Sequence, residues 1–224
     1  MKLLNVNFEN KQTILSDFDR IAEKFKNGIC IKVNTSYYRI IDFEFYAFSE
    51  NFPDQQTHKN QQQLENGKIY LHSSGMDITF GDGNNHGGIL IRGVVLVNDG
   101  GNDFTIKQFD GPQIVATELF SKLHGLLENK PNEISLVEIE ERNKEISYLP
   151  YCIKTKRVGL TPKELDKEDY YLNLPLRYII VLENYPNFKQ KIKGIENLLF
   201  EEIKNKRITE DNAQEILGYK KTFK

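Results

Sequence analysis

The run YYRIIDFEFY, residues 37–46, is rich in the aromatic and β-branched residues that are typical of a β-strand. Successive side chains of a strand point to opposite faces, so this run predicts two distinct sets of residues. One face would carry Tyr38, Ile40, Asp42, Glu44 and Tyr46. The other face, which we expect to join the core, would carry Tyr37, Arg39, Ile41, Phe43 and Phe45. Burying an unpaired carboxylate is unfavourable, so a face with two carboxylates and a phenol predicts a functional site.

The segments around this run predict an α+β fold. Apolar residues recur at helical spacing in residues 11–27, and Gly28 follows where a helix often ends. Strands are expected at residues 30–33, 68–72, 76–80, 89–97, 136–139, 151–158 and 176–182. We therefore expect a single domain, residues 1–224, with a curved, mainly antiparallel sheet packed by helices. Charged amphipathic segments in residues 187–224 predict extra C-terminal helices.

Two further local patterns concern polar residues close to apolar strands. Asp110-Gly111-Pro112 predicts the start of a helix that runs to about residue 128, with Asp110 as its N-cap. Residues 89–97 are apolar except for Arg92, so this guanidinium needs an anionic partner. Asp42 and Glu44 are the candidates. An interior ion pair without chemistry is the alternative interpretation.

Composition limits the class of protein. The chain has 224 residues, of which 39% are hydrophobic and 28% charged, which is typical of a soluble protein. It contains no apolar run of about 18 residues, and its first residues do not form a signal peptide, so we expect a cytoplasmic protein with no membrane partner. The formal net charge of −2 excludes a strongly basic DNA-binding protein but allows a local basic face.

Five segments, in this order, resemble the alkyladenine (3-methyladenine) DNA glycosylase family. They are RIIDFEFY (39–46), GKIYLHSSGM (67–76), GGILIRGV (87–94), RVGL (157–160) and LPLRYIIV (174–181). The resemblance extends over residues 37–182, with gaps. It implies a glycosylase-like core in these residues, with the helices of residues 187–224 appended to it.

The resemblance also implies roles for six residues. Glu44 would activate the water that hydrolyses the N-glycosidic bond of an alkylated purine, and Arg92 would help to hold that water. The other four, which would contact the base, are Tyr46, His58, Tyr70 and His72. The implied enzyme is a monofunctional glycosylase of DNA base excision repair that needs no cofactor and no metal.

Three positions depart from the family pattern. The family has a second stacking Tyr in its G-x-x-Y-x-Y segment, where this chain has His72 after Tyr70. The family inserts an aromatic side chain into the duplex just before its Gly-Met pair, where this chain has Ser74. The family's Asn a few residues later falls near Gly81. Three functions therefore remain open. The first is a glycosylase acting on damaged duplex DNA, the second a pocket for a nucleoside-like or nucleotide-like ligand, and the third a non-catalytic interaction module on the same fold.

The histidines also raise the question of a metal site. His58, His72 and His86 recur every 14 residues, with Asp77 and Asp82 close to them in the sequence. This spacing matches no helical or Cys-x-x-Cys metal motif. The sequence thus favours damaged DNA or another nucleobase-containing ligand as the partner, without a metal.

Overall fold

The computed structural model describes residues 3–98, 107–138, 148–162, 170–182, 195–206, 208–217 and 220–223. Within these residues the strands form one ten-stranded sheet. The strands are β1 (Ile29–Val33), β2 (Ser36–Ser49), β3 (Phe52–Pro53), β4 (Asn66–His72), β5 (Gly75–Phe80), β6 (His86–Asn98), β7 (Lys107–Asp110), β8 (Ile134–Glu138), β9 (Tyr148–Thr155) and β10 (Arg177–Leu182). The helices are α1 (Lys11–Lys26), α2 (Pro112–Ser121), α3 (Tyr170–Asn173), α4 (Ile195–Lys204) and α5 (Glu210–Leu217), with a 3-10 helix at Gln61–Leu64.

Strand β2 is the centre of the sheet. Its pairing with β6 extends from Tyr37 to Phe48, and β5 and β4 continue the sheet on that side. The other edge of β2 is shared, because β1 pairs with its first residues and β10 with Asp42–Glu44. All strand pairs among the described residues are antiparallel, and the sheet curls into a half-barrel. The prediction of an α+β fold with a curved antiparallel sheet is confirmed.

Helix α1 covers the aromatic core on one face of this sheet. Asn10 caps its start by accepting a hydrogen bond from the Thr13 N–H at 2.9 Å, and Gly28 follows its end with φ +120°. The buried side chains of α1 recur at helical spacing, as predicted. Among them, the Phe18 ring stacks on Phe45 of β2 with a centroid distance of 4.2 Å.

The C-terminal helices form a second, smaller core against strands β9 and β10. Tyr178 and Ile180 point into the main core, whereas Ile179 and Val181 contact the second cluster. That cluster also contains Ile153 of β9, Leu199 of α4, and Ala213 and Leu217 of α5. Strand β10 is therefore buried on both faces, as its nearly continuous apolar sequence indicates.

Two β-bulges at the centre of the sheet change which residues share a face. Ile41 is an extra residue on β2, between Ile40 and Asp42, and Arg92 is an extra residue on β6. On each strand, the side chains before the extra residue and those after it therefore alternate in opposite register, so residues that a regular strand would place on one face lie on opposite faces. Tyr38 lies in the main core together with Ile40.

The predicted grouping of Tyr38 and Ile40 with the acidic residues is consequently wrong. Phe43 and Phe45 lie in the main core, as predicted. Beyond the bulge, the opposite face of β2 carries Asp42, Glu44 and Tyr46. The bulge separates the carboxylates from the aliphatic residues that precede them in the sequence.

Helix α2 differs from the predicted helix at both ends. Its N-cap is Gly111, with φ +105°, and no side chain caps the first turn. Asp110 instead belongs to β7, where it pairs with Gly93. The helix ends at Ser121 rather than near residue 128, and Leu126 and Leu127 beyond it are fully exposed. The expected N-cap role of Asp110 is therefore wrong.

Candidate functional site

A cavity of about 800 Å³ opens beside the part of β2 that follows the bulge. Its wall contains five charged side chains and three flat rings. The charged residues are Asp42, Asp77, Arg92, Asp110 and Arg177, and the rings belong to Tyr46, His58 and His72. A cavity with flat rings and polar groups matches the general character of small-molecule sites.

Glu44 lies immediately behind the cavity wall. Three wall residues contact its carboxylate. Arg92 Nε is 3.4 Å from Oε1, the Val158 N–H donates to Oε1 at 3.0 Å, and the Tyr46 hydroxyl donates to Oε2 at 2.7 Å. The residue itself is 0% exposed, so these partners separate it from the cavity. The predicted anionic partner of Arg92 is thus Glu44.

Desolvation by burial raises the pKa of Glu44 above its ordinary value of 4.5. Arg92 and the hydrogen bonds from Tyr46 and Val158 oppose this shift without cancelling it. A carboxyl group whose pKa is raised is a stronger base than an ordinary one. It accepts a proton more readily near neutral pH.

The raised pKa of Glu44 predicts a specific pH dependence of stability. A carboxyl that binds protons more tightly in the folded chain contributes stability that is fully present below pH 4.5 and is lost as the pH rises through its folded pKa. The variant Glu44→Gln lacks this titration. We expect the unfolding free energy of the variant, relative to the wild type, to increase as the pH rises through this window. Urea unfolding of both proteins at a series of pH values would measure it, and a decrease would contradict the prediction.

Asp42 has a different partner from the one considered for it. Arg177 of β10 binds it through two hydrogen bonds, from Nε at 2.9 Å and from Nη2 at 2.6 Å. The two residues are 135 positions apart in the sequence, and both line the cavity. Asp110 lies in the same wall, where burial and the nearby Asp42 carboxylate raise its pKa.

A second buried ion pair supports the ring of Tyr46. Arg157 donates to the Asp54 carboxylate through both terminal nitrogens, at 2.5 and 3.1 Å, and both side chains are 0% exposed. The guanidinium carbon of Arg157 also lies 4.4 Å from the centroid of the Tyr46 ring. This contact fixes the ring against the loop that contains Val158. Two of the segments that resemble the glycosylase family, residues 157–160 and 174–181, thus contact β2 through Val158 and Arg177.

His58 and His72 lie side by side at the other end of the cavity. Their ring centroids are 4.6 Å apart and their planes are perpendicular. His58 Nδ1 is 3.3 Å from the Tyr70 hydroxyl, and His72 Nε2 is 3.0 Å from Asp77 Oδ1. The Gln63 side chain binds the second oxygen of Asp77 at 3.0 Å. This network holds both imidazole rings in place.

The structure therefore brings the predicted residues together. Four of them, Tyr46, His58, His72 and Arg92, line one cavity, whereas Glu44 lies one layer behind it and Tyr70 contacts His58. Their catalytic and binding roles stay predictions. The site also contains four residues for which the sequence predicted no role in it, namely Gln63, Asp77, Asp110 and Arg177. The signal that was available for Asp77 and Arg177 was a charged side chain in an otherwise apolar strand.

Of the positions that depart from the family pattern, His72 and Ser74 belong to the cavity wall, whereas Gly81 contacts Gln63, another residue of that wall. Ser74 lines the cavity beside His72. Gly81 packs so tightly on the backbone of Gln63 that a Cβ atom there would be 2.2 Å from its carbonyl oxygen. The chain therefore has no space for an Asn side chain at position 81 in this conformation.

The described residues include neither a membrane-spanning helix nor a cluster of metal ligands. None of the helices in this part of the chain is long and apolar enough to span a membrane. No group of three or more His, Cys, Asp or Glu residues in the same part is arranged to hold a metal ion. His86 contacts Phe48, with a ring centroid distance of 6.3 Å, rather than joining the other two histidines.

Comparison with known proteins finds a distant viral relative. No family model matches the chain. An uncharacterised protein of Acanthamoeba polyphaga mimivirus is 26% identical over 215 residues, a match that covers 80% of this chain and 92% of that protein. The chain is similar to a viral protein of comparable length, and that protein has no described activity that could be compared with the site.

Proposed function

We propose that this protein is a cytoplasmic DNA-repair glycosylase, which hydrolyses the N-glycosidic bond of an alkylated purine. The observation that supports the proposal most directly is the contact between Glu44 and three residues of one cavity wall, Tyr46, Arg92 and Val158. These residues come from three of the segments that resemble alkyladenine DNA glycosylases. We also propose that the half-barrel sheet is the core of that family's fold.

In the proposed reaction the purine enters the cavity between the flat rings. Tyr46, His58 and His72 are suited to contact the faces and edges of a heterocycle. Water adds to the sugar carbon, the bond from that carbon to the base nitrogen breaks, and the base leaves with the bonding electrons. Glu44 is the final acceptor of the proton from the water. Before it takes up that proton, the negative charge of Glu44 stabilises the cationic sugar as the bond to the base breaks, and Arg92 orients the carboxylate.

A second function is favoured by two specific observations. Glu44 is 0% exposed, and Ser74 replaces the aromatic side chain that would fill the gap left by a flipped nucleotide. Both observations fit a module that binds a nucleobase or nucleoside without cleaving it. Such a ligand would avoid the unstacking energy of a few kcal/mol that base flipping requires.

The two functions can be separated by one set of assays. The purified protein would be incubated with duplex and single-stranded oligonucleotides that carry one N-alkylated purine, and the released base would be separated by chromatography. The glycosylase proposal predicts release. A binding module predicts no release, but a rise in melting temperature with modified nucleosides. Absence of both responses would contradict both functions and favour the interaction module.

A further inference from the structure

Tyr46 occupies the position between the cavity and Glu44. The ring of Tyr46 lines the cavity, whereas Glu44 has no exposed surface. The Tyr46 hydroxyl donates a hydrogen bond of 2.7 Å to Glu44 Oε2. A water in the cavity therefore faces Tyr46, Arg92 and Val158 before it can face the carboxylate.

The other two groups that cover the carboxylate cannot transfer a proton to it easily. The Val158 group is a backbone N–H, and the guanidinium of Arg92 has donors but no acceptor. A phenol hydroxyl can both give and accept a proton. Tyr46 is therefore the one contact of Glu44 among the described residues that can pass a proton from the cavity inward.

The hydroxyl of Tyr46 also has unused capacity as an acceptor. It donates its single proton to Glu44, and no donor to its oxygen is found in the part of the chain that the structure describes. A phenol oxygen can accept from at least one further donor. Burial and the adjacent Glu44 carboxylate raise the pKa of Tyr46, so the hydroxyl keeps its proton in the resting protein.

The ring is held in this orientation from outside the cavity. The Arg157 guanidinium lies 4.4 Å from the ring centroid and is itself bound by Asp54 at 2.5 and 3.1 Å. Tyr46 is 8% exposed. Movement of the hydroxyl away from Glu44 would disturb a buried ion pair, so direct access of water to the carboxylate is opposed by this packing.

We propose that Tyr46 is a catalytic residue that relays the proton of the attacking water to Glu44. This inference rests on the proposed hydrolysis. As the water oxygen bonds to the sugar carbon, the water gives one proton to Tyr46 Oη, and Tyr46 gives its own proton to Glu44 Oε2. The base departs with the electrons of the broken bond. At the end Tyr46 is neutral again and Glu44 is protonated, so charge and protons balance.

The variant Tyr46→Phe tests the relay, because it keeps the ring and removes only the hydroxyl. We expect single-turnover base release to fall by about 100-fold, with affinity for the damaged oligonucleotide within about threefold. Tyr178→Phe is the matched control. The Tyr178 hydroxyl also donates to a carboxylate, that of Asp19 at 2.6 Å, but this carboxylate is half exposed. Tyr178 belongs to the main core and not to the cavity. We expect its release rate to equal that of the wild type.

Solvent isotope measurements give a second test, which needs only the wild type. A relay moves two protons in the step of water attack, so the single-turnover rate should depend on the deuterium fraction along a bowed curve. Release by Tyr46→Phe at the wild-type rate, or a linear dependence on deuterium fraction, would overturn the relay while leaving hydrolysis by Glu44 intact. No release by the wild type would overturn the hydrolysis itself and the relay with it.

Discussion

Replacing Glu44 with Gln is expected to slow release of an alkylated purine by about 10³-fold to 10⁴-fold. A carboxamide cannot accept the proton of the attacking water, and it carries no charge to stabilise the cationic sugar. The Gln side chain has nearly the same shape as the Glu side chain that it replaces. The carboxamide oxygen can accept from the Val158 N–H, and the amide nitrogen can donate to the Tyr46 hydroxyl. The loss would therefore appear in the rate of the chemical step, measured under single-turnover conditions, and not in affinity for the damaged oligonucleotide.

Glu118→Gln provides the matched control for this variant. Glu118 also accepts a hydrogen bond from a tyrosine, Tyr38 at 2.8 Å, but it lies on α2 and does not line the cavity. The same chemical change there should leave base release unchanged. If Glu44→Gln released base as fast as the wild type, another group would have to activate the water.

The second large effect concerns stability. The variant Arg157→Met is expected to lower the free energy of unfolding by about 3–5 kcal/mol, because it leaves the Asp54 carboxylate buried without its cation. Both side chains are 0% exposed, so water cannot replace the lost partner. The change also removes the guanidinium from the Tyr46 ring. Urea unfolding at neutral pH measures the difference.

The double variant Arg157→Met/Asp54→Leu separates the buried charge from the other contacts of Arg157. It removes both charges of the pair, so most of the lost stability should return. The stability that does not return reflects the contact of Arg157 with the Tyr46 ring, its hydrogen bonds to the Phe45 and Tyr171 carbonyls, and the hydrogen bond that Asp54 accepts from the Gln56 N–H. If the single variant lost less than about 1 kcal/mol, the Asp54 carboxylate would not be buried as the structure shows.

The local elements of the fold were predictable because their patterns are local. The spacing of Phe18, Ile21 and Phe25 predicts α1, and the alternation in residues 37–46 predicts a strand. The bulges could not be predicted in this way. They depend on how β2 and β6 pair, and no residue in RIIDFEF or LIRGV marks Ile41 or Arg92 as the extra one.

The charged partners in the site were harder to predict for a related reason. Arg92 was recognisable as a cation in an apolar strand, and Glu44 proved to be its partner. The partner of Asp42 was not recognisable, since Arg177 lies 135 residues away and pairs with it only because β10 joins the edge of β2. Long-range strand order is the information that a single sequence lacks.

The placement of β10 beside β2 has a consequence for how the chain acquires its site during synthesis. Asp42 and Glu44 emerge from the ribosome long before Arg177 and Val158, which bind them at separations of 135 and 114 residues. Such distant contacts form late, because closing a long loop costs conformational entropy, and this cost is offset only when other contacts have formed. A nascent chain that stops before β10 would hold the Asp42 carboxylate without its partner Arg177. We therefore expect the pocket to mature only after translation has passed residue 182, so shortened chains should be prone to chaperone binding.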